Sequence, residues 1–224
     1  MPTPPKFTRQ QEKARRAFAK DLYANVRKRV RGTGWRFAQN FLFRNLQGWF
    51  VETTIRVALN APCTRLNLRA KPMAIEPIVW EIFEIEGNAK LPLSFRARGG
   101  YCETPDMAAI DLLENTNHPA AMAEAILEWS DTQLRQKVDP LTPAAFVRFV
   151  SDHSNRQAPN SYLVTHVAAL IMTDRHEEAR VLCDEVVQRG DPGGLAFNRP
   201  SGRTTFPEGV LRWLDRMPRR HLPN

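Results

Sequence analysis

At 224 residues, with 42% hydrophobic and 25% charged side chains, the chain has the composition of a globular protein and the length to bury its own core, as one large domain or two small ones. Its net charge is +8. No stretch approaches the roughly 18 apolar residues of a membrane span, and the opening Met1-Pro-Thr-Pro-Pro-Lys-Phe-Thr8 lacks the apolar run of a secretory signal. Cys63, Cys102 and Cys183 are far apart, with no CxxC or Cys/His cluster, so they are expected as reduced thiols in a cytoplasmic protein without structural disulfides.

The charge is uneven. Residues 1–36 carry 11 Lys/Arg against Glu12 and Asp21, a net +9, and residues 196–224 carry six Arg against Glu208 and Asp215, a net +4. The middle is therefore at −5. A basic start and end around an acidic middle point either to an acidic partner or to a chain that answers its own charge.

Residues 1–7 are Pro-rich. Thr8-Arg-Gln-Gln11 then has the form of a capping box, opening a helix that runs to about Arg31 and is stopped by Gly32 and Gly34. Ala14, Phe18, Leu22, Val26 and Val30 recur every four residues as its buried stripe. At about 100° per residue, Arg9, Lys13, Arg16, Lys20, Arg27 and Arg31 fall within roughly 60° of one another on the other side. Arg15 and Arg29 fall near the apolar side and must snorkel or find partners.

The period then changes from 3.6 to 2. Trp35, Phe37, Phe41 and Phe43 alternate with Arg36, Ala38, Leu42 and Arg44. After the turn Asn45-Leu-Gln-Gly48, Trp49 to Leu59 alternate likewise, which predicts an antiparallel hairpin with one apolar face. A third strand is expected over 63–70, with Leu66 and Leu68 inward. One or two turns of helix follow at Pro77–Phe83, and Leu91–Arg98 reads as a fourth strand. Residues 101–116 are ambiguous. Beyond them the chain reads as helical: Pro119 to about Val138, a helix capped by Thr142-Pro143, a central helix over Ser161–Thr173, a helix from an Asp174–Glu177 cap to Gly190, a loop over 191–204, and a short helix opened by a capping box at Thr205–Glu208. The order predicts an α+β protein: a long N-terminal helix on an antiparallel meander of about four strands, then a helical bundle, with regions 1–105 and 106–224 packing as one domain or two.

Motifs for chemistry are sparse. His176-Glu177-Glu178 begins like a zinc-protease helix, but the second His would belong at 180, where Arg180 stands. A cysteine nucleophile would need a His brought close by the fold. Gly32-Thr-Gly34 and Gly193-Gly194 lack the GK[ST] of a phosphate loop. Glu76, Glu81, Glu84 and Glu86 cluster, as surface carboxylates commonly do. No catalytic residue, cofactor or metal is therefore assigned.

Two stretches bear a resemblance. Residues 161–190, with Leu163, Ala168, Ala169, the Thr173-Asp174 turn, Glu178-Ala179 and Leu182, resemble one tetratricopeptide-type helix pair, without the tandem array of such solenoids. Residues 8–100, with Gly34-Trp35-Arg36, Phe43-Arg44 and Gly48-Trp49 after a long first helix, resemble bacterial domains of unknown function, some of which are immunity proteins beside secreted toxins. That resemblance implies a protein that binds another protein. The candidate binding residues are the six cations of the first helix, which could dock an acidic protein face or follow a phosphate backbone, aided in the latter case by Arg203, Arg212, Arg216, Arg219 and Arg220. An enzyme whose site is assembled only by the fold is the third reading.

Overall fold

In the computed structural model, residues 8–58, 61–98, 102–113, 118–156, 162–199 and 202–217 are described. They form an α+β fold whose chain divides into two units, 1–70 with 106–140 and 71–105 with 141–224. The boundary expected at 105/106 is one of three places where the chain passes from one unit to the other.

The first unit is built on α1 (Arg9–Arg29) and a five-stranded antiparallel sheet in sequential order: β1 (Arg36–Ala38), β2 (Phe41–Leu46), β3 (Trp49–Val57), β4 (Cys63–Pro72) and β5 (Asp106–Leu113). A further helix, α3 (Pro119–Gln133), packs beside α1 and ends in a π-helical turn at Leu134–Val138. Phe18, Leu22 and Val26 of α1, Leu42, Val51 and Ile55 of the sheet, and Met122 and Ile126 of α3 share one core. Withdrawing a side chain of this kind from water is worth about 2 kcal/mol.

Two strand expectations are corrected. Residues 35–44 are not one strand. A turn at Gln39 (φ 53°) and Asn40 folds β1 back on β2, so Phe37 lies directly across from Leu42. Facing residues in an antiparallel pair share a face. Leu42 therefore points at α1, while Phe41 and Phe43 point to the opposite face with Phe50, where they are also buried. At β2 and β3 the sheet is thus apolar on both faces rather than one.

The expected strand at 91–98 is instead the second of two 3-10 segments, Glu86–Lys90 and Leu93–Arg98. The last strand of the sheet comes from the ambiguous region. β5 pairs with β4 from Cys63↔Leu113 to Arg69↔Asp106, fixed by the bidentate pair of Arg65 with Asp111 (2.7 Å) and by Arg69 with Asp106 (2.5 Å).

The second unit contains α2 (Ile75–Phe83), the two 3-10 segments, α4 (Pro143–Arg156), α5 (Leu163–Met172), α6 (His176–Gln188) and α7 (Phe206–Arg216). The expected loop at 191–204 includes a small hairpin, β6 (Ala196–Arg199) with β7 (Gly202–Thr205). α5 is central, with α2, α4 and α6 packed against it, and its residues 167–171 are all buried, as its continuous apolar sequence requires. It ends in a Schellman motif. The amide of Arg175 donates to the Leu170 carbonyl and that of Asp174 to Ile171, with Asp174 left-handed at φ 58°. Asp174 is thus the last turn of α5 and not the cap of α6, whose N-cap residue is Arg175.

Candidate functional site

α1 is set by local chemistry at both ends. The Thr8 hydroxyl accepts from the Gln11 amide (3.3 Å), and the Gln11 side chain accepts from the Thr8 amide (2.8 Å), as the sequence predicts. Val30 is the C-cap, and Gly32 and Gly34 follow with φ near 80°, a conformation that favours glycine. Arg31 lies just beyond the helix.

The buried side is Arg15, Phe18, Leu22 and Val26. Ala14 is exposed, so Arg15 and not Ala14 fills the first turn of the seam. Its guanidinium ties down the chain between β3 and β4, donating to the Ala58 carbonyl through Nε (2.9 Å) and Nη2 (2.7 Å) and to the Cys63 carbonyl (3.2 Å). Arg29 pairs with Glu124 of α3 at 3.2 Å. Both misplaced arginines thus find partners.

On the opposite face Arg9, Lys13, Arg16, Lys20 and Arg27 are all exposed, as is Arg31 after the helix. Arg27 lies over the Phe37 ring at 5.7 Å, a contact that leaves its charge in place. Among the described residues none of the six forms an ion pair. Five carboxylates of the middle are engaged by other cations: Asp106 and Glu52 by Arg69, Asp111 by Arg65, Glu124 by Arg29, and Glu76 by Lys71 and Arg96. Five cations on 21 helical residues make a charged ridge about 30 Å long.

Among the described residues, no fully exposed aromatic platform for stacking bases accompanies it. Trp35 is buried, its indole N–H donating to Asp131 at 2.8 Å and its ring under Arg44. Phe37 packs against Tyr23, and Phe41 and Phe43 are buried. Of the C-terminal arginines, Arg203, Arg212 and Arg216 are exposed on β7 and α7, while Arg219 and Arg220 lie outside the described residues.

The other chemical candidates disperse. Burial pushes the Cys102 and Cys183 thiols up to about 12, which keeps them protonated and poor nucleophiles. Cys63 is half-exposed. Arg180, at the place of a second zinc-helix histidine, pairs with Asp215 at 2.8 Å. No three His, Cys, Asp or Glu side chains gather at metal-binding distance among the described residues.

The acidic cluster resolves differently from its sequence reading. Glu81, Glu84 and Glu86 are exposed, but Glu76 is fully buried. It lies 3.0 Å from the equally buried Lys71 and accepts from Arg96, while Lys71 also donates to the Cys102 carbonyl at 2.8 Å. The sequence shows no periodicity that would mark the cluster: Lys71 meets Glu76 across the β4–α2 junction, and Arg96 meets it only through the fold. Among the described residues no helix is long and apolar enough to cross a membrane. No family model, curated protein or solved structure matches this chain.

Proposed function

We propose that this chain is a binding protein that holds an acidic surface of another protein on the exposed face of α1, in the manner of the immunity-type domains that residues 8–100 resemble. One observation carries the reading: Arg9, Lys13, Arg16, Lys20 and Arg27 of α1, with Arg31 after it, are exposed and form no ion pair among the described residues, while Glu52, Glu76, Asp106, Asp111 and Glu124 are engaged by other arginines and lysines. An unneutralised ridge on a packed helix offers rigid, preorganised charge, which speeds encounter with an acidic face and sets its register. The burial of Trp35, Phe41 and Phe43 favours this partner over single-stranded nucleic acid, which binds by stacking as well as by charge.

The test is co-expression with the product of the neighbouring gene, followed by titration calorimetry of the wild type and of a variant carrying Lys13→Glu, Arg16→Glu, Lys20→Glu and Arg27→Glu. Four reversals at an electrostatic interface should weaken binding by roughly 30-fold or more, and the wild-type affinity should fall as salt rises from 50 to 500 mM. Equal affinity of variant and wild type counts against the proposal. Retardation of duplex or single-stranded nucleic acid at low salt, abolished by the same four changes, would replace it with the nucleic-acid reading.

A further inference from the structure

The second unit carries a cleft of about 560 Å³ over α5, walled by α4 and α6. Helical spacing builds it. Residues 147, 148, 151 and 152 of α4, and residues 177, 178, 181, 182 and 185 of α6, each recur at the i, i+4 interval that keeps one helix face inward, and His166 and Leu170 form the floor in the same way. The volume is in the range of sites that bury a ligand of several residues or a drug-sized molecule.

Its lining has two parts. Leu170, Val147, Leu182 and Val181 give an apolar centre, in which Val181 is 56% exposed to whatever enters the cleft. Around it stand four carboxylates and two guanidinium groups. Glu178 is held by Arg175 through two bonds of 2.6 and 2.5 Å. Asp152, Glu177 and Glu185 have no ion pair among the described residues, against the single uncompensated cation Arg148. A concave, partly apolar wall focuses that excess negative charge on whatever enters.

We propose that this cleft is a docking site for a cationic amphipathic segment of a protein, one that sets an apolar side chain on Val181 and Leu170 and cations against Glu177 and Glu185. Those two carboxylates are eight residues apart on one helix, about 12 Å. A helical ligand with lysines seven or eight positions apart and a leucine between them spans the same distance, the arrangement of a helix laid in a groove. The site is independent of α1 and opposite to it in charge, so its partner is basic where the partner of α1 is acidic.

The probe is a fluorescein-labelled, capped 14-residue peptide of alanine with two lysines seven apart and one leucine midway, read by anisotropy and by amide shifts in the full chain. Saturable binding with a Kd on the order of 10–100 μM is expected, with shifts confined to α4, α5 and α6. Joint Asp152→Asn, Glu177→Gln and Glu185→Gln should weaken it at least about tenfold, and Val181→Asp should weaken it through the apolar centre. All four positions are half-buried or exposed, so circular dichroism should be unchanged. The α1 charge-reversal variant should bind the peptide as the wild type does, which separates failure here from failure there. The absence of saturation at 1 mM, shifts that map elsewhere, equal binding of a peptide with glutamate in place of lysine, or equal binding by the triple variant would each overturn the proposal.

Discussion

His166 stands on α5 with much of its ring withdrawn from water. Burial lowers its pKa below the usual 6.5, Arg175 pushes the same way, and Glu178 opposes them. In the unfolded chain the imidazole takes its proton near pH 6.5, before the folded chain accepts it. Below that pH the unfolded state therefore binds more protons, so stability contributed by the neutral ring is lost as pH falls from about 7 toward 5. Urea unfolding at pH 7.5 and 5.5 should show this loss, and His166→Gln should flatten it while leaving the slopes due to other histidines. A pH dependence identical in the two proteins would show that the ring titrates equally in both states. Glu208 acts in a separate, lower window. Its carboxylate accepts from the Thr205 amide, which lowers its pKa, so its contribution is present above the carboxylate range and is lost in acid.

At the scale of elements, what the sequence discloses follows from the range of the interactions involved. α1 is legible because its caps, its glycine stop and its two faces are set by residues three or four apart, and its cations are placed by the same period. The phase of β2 is not legible, because the Gln39-Asn40 turn lacks the glycine that usually announces a hairpin. Leu91, Leu93, Phe95 and Ala97 alternate like a strand, yet Leu93–Arg98 coil as a 3-10 segment. Met107-Ala-Ala-Ile-Asp-Leu-Leu113 suits a helix equally well and becomes β5 only by pairing with β4. The contacts that Arg96 and the Cys102 carbonyl make with the buried Lys71–Glu76 pair belong to this long-range class, as does the cleft, to which three helices contribute.

The ion pair makes a distinct stability claim for the element α2 that carries Glu76. Glu76→Gln strands a fully buried ammonium and should cost roughly 3–5 kcal/mol. Replacing Lys71→Met together with Glu76→Gln removes the buried ammonium and should recover part of that loss, the rest persisting because Arg96 still lacks its carboxylate. A double-mutant cycle by urea denaturation decides the matter, since simple additivity of the two losses would mean that the pair is not coupled.

At the scale of the whole molecule, the path of the chain matters more than the list of its elements. It leaves the first unit after β4, builds α2 and two 3-10 segments in the second, and returns as β5 and α3 before leaving again at 140. A cut at 105/106, where the composition changes from strand-rich to helix-rich, therefore severs both units. Fragment 1–105 lacks β5 and the α3 residues Met122, Ala123 and Ile126, which complete the core under α1. Fragment 106–224 lacks α2, against which α5 and α7 pack, and with it the ring contact of Phe83 with Phe206 at 5.5 Å. Each fragment would expose a large apolar face and should be molten or aggregated alone, with weak near-ultraviolet dichroism and no cooperative thermal transition. Mixing them from denaturant should restore part of both signals, because the missing pieces of each unit reside in the other fragment. A sharp cooperative transition from 1–105 alone would mean that α1 and four strands suffice, and that the first unit does not need β5 and α3 to fold.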